Sequence, residues 1–155
     1  MSATKSTRTT INGILNINKP PARTSQDIVS FVKHLSKQSH VGHAGTLDPI
    51  ATGILPICLG QATRMSSLIM ENYKTYIAEI TLGISTNTYD CEGKVVQQKD
   101  PSHITKAQID ELLPKFTGKL LQKPPSFSAL KLHGKRLYEL ARAGIEVERE
   151  AREVT

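Results

Sequence analysis

The chain has no tryptophan, only 5% aromatic residues and two cysteines among its 155 residues. So few rings exclude a single-strand binding face built from many stacked aromatics. Cys58 and Cys91 stand far apart, with no CxxC pair and no histidine at ligand spacing. That argues against a disulfide scaffold or a zinc module and fits a reducing compartment. No stretch approaches the roughly 18 apolar residues of a membrane span, and no apolar h-region for secretion is present. Several catalytic signatures are also missing. There is no GxxxxGK(S/T) or GxGxxG phosphate cradle, no HxE with a later PCxxC as in zinc deaminases, and no nucleophile motif of a serine or cysteine hydrolase.

What is present is a basic protein with enough apolar residues for a core. Hydrophobic residues make up 38% and charged residues 22%, with 20 Lys plus Arg against 14 Asp plus Glu and a formal charge of +6. This is one soluble domain's worth of chain. Residues 1–77 hold 8 basic and 3 acidic side chains, and the stretch from Lys115 to Arg136 carries six basic residues and no acid. Such blocks attract phosphate backbones, although an ordinary solvated surface has the same composition.

Along the chain, residues 1–10 hold six Ser or Thr, one Lys, one Arg and no acid, which predicts a disordered basic tail. Residues 11–17 form a short apolar run stopped by Lys19-Pro20-Pro21, a strand entering a rigid turn. Thr24 and Ser25 offer an N-cap, and Ile28, Val29, Val32 and Leu35 follow at helical spacing, predicting a helix over 26–37. Residues 54–59 have strand length and character. The pattern then predicts a helix over 62–71 with Met65, Leu68 and Ile69 inward, an alternating strand over 73–82, a turn at 88–93 and a paired strand over 94–98. Thr105 and Gln108 form a capping box for a helix burying Ile109, Leu112 and Leu113. A last helix over 135–143 ends at Gly144, and a strand-like segment follows. Val29, Leu55 and Leu112 are expected in the core. The sum is an α+β domain with a mixed, mainly antiparallel sheet flanked by helices.

The densest cluster of special residues is the loop 40–53, with three glycines and a proline around His43 and Asp48. Glycines let backbone approach another group closely. Asp48 precedes Pro49, which holds it extended, so its carboxylate either projects from a stiff turn or bonds nearby amides as an Asx turn. His43 is open to the same choice between chemistry and a local hydrogen bond. Glycoside hydrolysis by two flanking carboxylates lacks a second acid near Asp48. A single carboxylate in a glycine-lined loop, on a basic chain, is what remains.

The segments GILNINKP (13–20), VGHAGTLDPIATGILP (41–56), GQATR (60–64), KTY (74–76), QKPPSFSALK (122–131) and GKRLYELAR (134–142) resemble, in order, the motifs of the TruB family of tRNA pseudouridine synthases. The resemblance implies isomerisation of the uridine at position 55 in the TΨC loop of tRNA, by base flipping, with no cofactor and no metal. It also implies a cytoplasmic protein without membrane association, monomeric when full length. By resemblance, Asp48 is the catalytic nucleophile, His43 packs on the RNA loop where the nucleotide leaves the stack, and Tyr76 lies against the flipped base. Lys19, Arg64 and Lys131 match basic positions that could face the RNA, Lys19-Pro20 doubling as structural support for the active loop.

Three positions depart from the family pattern. Ala22 stands where the KPxGxTS turn usually has Gly and would be strained if φ is positive there, Asn87 stands where TxTxDxxG usually begins with Thr-Asp, and Phe127 replaces a common Tyr. The resemblance further implies that 11–155 is the N-terminal portion of a pseudouridine synthase catalytic domain. An arginine that pairs with the catalytic aspartate, further strands and, in many members, an RNA-binding PUA domain are expected beyond Thr155. A chain that binds tRNA without catalysis is the alternative expectation.

Overall fold

The computed structural model describes residues 10–125, 131–132, 134–145 and 147–155. The predicted tail, apart from Thr10, lies outside the described residues, and so does Phe127. The chain divides into two compact units, Met1–Tyr76 and Ile77–Thr155. Every strand pair among the described residues is antiparallel, as an α+β sequence with short strands predicts.

The first unit contains β1 (Gly13–Lys19), α1 (Ser25–Ser36), β2 (Val41–His43) and β3 (Gly53–Leu59). β3 is central, antiparallel to both neighbours, so β1 and β2 run parallel to each other on its two sides. The connection between them must cross the sheet, and α1 makes that crossing. Alternation puts Leu55, Ile57 and Leu59 of β3 on one face together with Val41. Ile28, Val29 and Val32, spaced to share one side of α1, pack onto that face, with Ile17 and Leu47 at its margin. Each such side chain contributes about 1.5–3 kcal/mol when fully buried, so together they outweigh a helix cap, typically worth about 1 kcal/mol.

Thr24 caps α1 reciprocally. Its hydroxyl accepts from the Asp27 N–H at 3.1 Å, and the Asp27 carboxylate accepts from the Thr24 N–H at 2.8 Å. Lys37, left-handed at φ 54°, ends the helix.

Beyond β3 the predicted helix over 62–71 is two pieces, a 3-10 segment at Gly60–Met65 and α2 at Ser66–Met70. The cause is local. The N-cap residue Leu59 has no side-chain oxygen to cap the start, and the Thr63 and Ser66 hydroxyls donate to the carbonyls of Gly60 and Thr63, bonds across three residues that favour the tighter winding. Met65 and Leu68 are consequently exposed, and only Ile69 is half-buried. The predicted strand over 73–82 does not form. Residues 73–81 have no ladder partner among the described residues, and Ile77 and Ile80 are exposed despite their alternation. A strand pattern becomes a strand only where another edge accepts its hydrogen bonds.

The second unit begins with β4 (Ile84–Thr86) and β5 (Val95–Gln98), joined by the predicted turn. Asn87, the departure from the family motif, keeps the turn closed because its Oδ1 accepts from the Lys94 N–H at 2.8 Å. The predicted capping box opens α3 (Lys106–Leu112), followed by a 3-10 segment at Leu113–Phe116. Leu112 and Leu113 are exposed, against expectation, because nothing apolar among the described residues covers that side of so short a helix. Next come β6 (Leu120–Gln122), β7 (Lys131–Leu132), β8 (Lys135–Arg136), α4 (Leu137–Arg142) and β9 (Arg152–Val154), with β6 pairing β9. Gly144 ends α4 at φ 73° in a Schellman arrangement, the N–H groups of Gly144 and Ile145 donating to Ala141 and Leu140. Among the described residues Leu137 is the one buried hydrophobic of this unit.

The cap of α1 is also a pH-sensitive element. The hydrogen bond from the Thr24 N–H, then that from its hydroxyl, and weakly the charges of Arg23 and Lys19, hold the Asp27 carboxyl below its ordinary pKa. A depressed folded-state pKa means stability that is present above the unfolded value and is lost as pH falls through the folded one. Asp27→Asn, which keeps an acceptor without the titration, should therefore show a shallower loss of thermal stability from about pH 5 to about pH 2 than the parent. Identical acid limbs in the two proteins would refute this role.

Candidate active site

The loop that carries Asp48 is the connection between β2 and β3. Ala44 N–H donates to Pro56 O at 2.9 Å, extending the β2–β3 ladder by one residue before the chain leaves the sheet. Asp48 then opens a β-turn, its carbonyl accepting from the Ala51 N–H at 3.0 Å with Pro49 in the second position, where a fixed φ suits the turn. Gly45 and Gly53 take positive φ values of 146° and 119° at the two ends of the loop, so the glycines act here through backbone freedom. No group approaches within 4 Å of the Cβ positions they lack.

Both neighbours of Asp48 are tied to the segment 19–25. Lys19, at the end of β1, is fully buried, and its ammonium donates to the carbonyls of Arg23 (2.7 Å), Pro20 (2.9 Å) and Pro49 (3.2 Å). Three acceptors match the three donors of an ammonium, which is what makes so deep a charge tolerable. Pro49 O also accepts from the Ala22 N–H at 2.9 Å. On the other side, the buried Ser25 hydroxyl donates to Leu47 O (3.1 Å) and accepts from Leu47 N–H (3.0 Å). Asp48 is thus bracketed at Leu47 and Pro49, while its own side chain is exposed and has no hydrogen bond or ion pair among the described residues. Of the two sequence readings, the Asx turn is not the one adopted.

The possible RNA contact at Lys19 is corrected by this geometry. An ammonium with no solvent exposure and every donor used cannot also bind a phosphate. Its role is the structural one, holding the 20–23 turn and the Asp48 loop together. That turn has Pro21 in its second position and Ala22 in its third at φ 58°, the sign that a type II turn imposes and that favours glycine. The strain expected of an alanine here is therefore present.

His43 ends β2 opposite Ile57, on the sheet face that packs against α1. It is half-buried, and its Nδ1 is buried with no hydrogen-bond partner among the described residues. Tyr76 stands 65% exposed in the unpaired stretch, and no hydrogen bond joins it to the Asp48 loop. Arg64 is exposed on the 3-10 segment. The Lys131 side chain lies outside the described residues. In the basic stretch Lys115, Lys119 and Lys123 are exposed, Lys119 pairing with Glu153 at 3.0 Å. Among the described residues no three His, Cys, Asp or Glu side chains form a metal-holding group, and no helix is long and apolar enough to cross a membrane.

Ser25 was not singled out as a site residue by the sequence pattern. The available signal was the Thr24-Ser25 doublet, two hydroxyls where one cap needs one. Thr24 takes the cap and leaves Ser25 for Leu47.

Residues 33–155 match the model of the TruB family pseudouridylate synthase (N terminal domain). The tRNA pseudouridine synthase B of Clostridium perfringens (strain 13 / Type A) is 52% identical over 145 residues, 94% of this chain and 49% of that protein. The protein of the same name from Dehalococcoides mccartyi is 52% identical over 142 residues, 92% of this chain and 47% of its own length. The chain spans about half the length of the curated relatives it matches. Among solved structures, a Cbf5-Nop10-Gar1 complex aligns at a TM-score of 0.52 and 27% identity, covering 77% of this chain and 31% of that one.

Two outcomes test the bracket. Lys19→Met leaves buried carbonyls without donors and should lower unfolding free energy by about 1–3 kcal/mol, read by urea denaturation. A change near zero would mean the ammonium is not sealed in. Ala22→Gly should raise or preserve stability, because relief of about 1–2 kcal/mol of left-handed strain outweighs or matches the roughly 0.4–1 kcal/mol that glycine adds to the unfolded chain's entropy. A clear drop in melting temperature would contradict a positive φ at residue 22.

Proposed function

The chain belongs to the TruB family of pseudouridylate synthases, and on that premise we propose that it takes part in converting uridine to pseudouridine in tRNA, at position 55 of the TΨC loop, with Asp48 as nucleophile. The observation that carries the reading is the Asp48 carboxylate itself, exposed and unbonded among the described residues, on a loop clamped on both sides of it. A surface aspartate in a turn ordinarily bonds a nearby amide. One held away from such partners is available to a substrate.

The reaction exchanges the bond from ribose C1′ to uracil N1 for a bond from C1′ to C5. The uridine first leaves the stack, at a cost of a few kcal/mol that contacts in the site must offset. His43, with an unused ring nitrogen, and the exposed ring of Tyr76 are the groups we assign to the RNA loop and the flipped base. Asp48 then acts at the ribose, by attack at C1′ or by removing a ribose proton, as the C1′–N1 electron pair passes to uracil. The detached base turns and C5 bonds to C1′ as the Asp48 O–C1′ bond of the first route breaks, or as Asp48 returns the C2′ proton in the second, after which C5 gives up its proton and N1 ends protonated. Atoms and charge balance within the nucleotide and the one carboxylate. Exposed Arg64 and the basic stretch that includes Lys115, Lys119 and Lys123 would supply phosphate contacts, and Lys131 belongs to the same group by sequence.

Pseudouridine mapping on tRNA incubated with the protein tests this directly. Asp48→Ala should abolish conversion, a loss beyond about 10³-fold, while RNA affinity stays within a few-fold of the parent. Unchanged conversion by the variant would remove Asp48 from the reaction. Tight, salt-sensitive tRNA binding by the parent without any conversion would favour the binding-only alternative.

A further inference from the structure

Leu47, the residue before Asp48, has both of its backbone polar groups held by one side chain. The Ser25 hydroxyl donates to its carbonyl and accepts from its N–H, at 3.1 and 3.0 Å, across 22 residues of chain. Ser25 is itself buried at 3% exposure, at the first turn of α1. The Thr24 hydroxyl already supplies the helix cap, so the Ser25 hydroxyl is not needed for capping. The Leu47 side chain meanwhile packs at the margin of the core. Its backbone and side chain are therefore referenced to the same helix.

We propose that Ser25 is the positioning residue of Asp48, setting through Leu47 the direction in which the catalytic carboxylate leaves the loop. The proposal rests on the assignment of Asp48 as nucleophile. The clamp on the other side acts differently. Lys19 and Ala22 both reach Pro49 O, which fixes where the loop lies without bonding either peptide of Leu47. The Ser25 hydroxyl bonds both of them. Since an ångström of misplacement at a reacting centre can cost about 10²-fold in rate, a hydroxyl two bonds removed from Asp48 can govern turnover without touching substrate.

The test compares Ser25→Ala and Ser25→Thr with the parent by kcat and KM for pseudouridine formation, with melting temperature and amide exchange of Leu47 measured in parallel. Ser25→Ala should lower kcat by about 10- to 100-fold, leave KM within about 2-fold and speed exchange at Leu47 relative to Ile57. Ser25→Thr, which keeps the hydroxyl, should recover most of the rate. Parental kcat in folded Ser25→Ala would overturn the proposal. A loss shared equally by Ser25→Thr, or one matched by a fall in folded fraction, would also overturn it, since it would report packing alone. If the parent makes no pseudouridine while Asp48→Ala behaves identically, the nucleophile assignment fails and the proposal falls with it. Parental turnover that Asp48→Ala abolishes and Ser25→Ala preserves overturns the Ser25 role alone.

Discussion

A charged nitrogen without access to water must be given acceptors or not be buried at all, and the ammonium of Lys19 organises the first unit through that requirement. Its acceptors are all main-chain carbonyls, from Pro20, Arg23 and Pro49. What it demands of the sequence is therefore conformation. The chain after β1 has to turn back on itself at once, which Pro20 and Pro21 prepare and which forces Ala22 to a positive φ. The loop between β2 and β3 has to bring Pro49 to the same point. Two segments about 30 residues apart are fastened by one side chain that the core has already placed, because Lys19 lies in register with Gly53 at the base of that loop.

The consequence for Asp48 follows from what surrounds it. Core packing fixes α1 on the sheet, α1 carries Ser25, and Ser25 holds Leu47, while Lys19 and Ala22 hold Pro49. The carboxylate between these anchors is left with no partner of its own among the described residues. His43 has a comparable unsatisfied group at Nδ1, on the strand that leads into the same loop. Unmet hydrogen-bonding capacity beside a rigid support is the arrangement expected where a substrate supplies the missing partners.

The second unit is held together differently. It depends on short antiparallel pairs, two well-formed helix ends and local turn hydrogen bonds, with Leu137 as its buried hydrophobic among the described residues. Local rules are sufficient for such elements, which is why the Thr105 box, the 88–93 turn and the Gly144 stop are all foreseeable. They are not sufficient for burial. Leu112 has the right spacing to be inward and is exposed, because spacing selects a side of the helix and only a neighbouring surface can cover it.

Residue types and spacing alone determined β1, α1 and β3 of the first unit, the core positions Val29 and Leu55, the glycine-lined loop around Asp48, and the likeness to the TruB family. Each depends on local chemistry or on the order of motifs along the chain. The tertiary structure decided what required two distant segments to meet. Lys19 changed from a possible phosphate contact to a buried clamp because its acceptor at Pro49 is 30 positions away. Ser25 changed from a second capping hydroxyl to a staple on Leu47 for the same reason. The 73–82 pattern lost its strand because an alternating segment cannot name the edge that must pair with it. A sequence encodes hydrogen-bonding capacity at every residue, but the partner that uses it is chosen by the packed core.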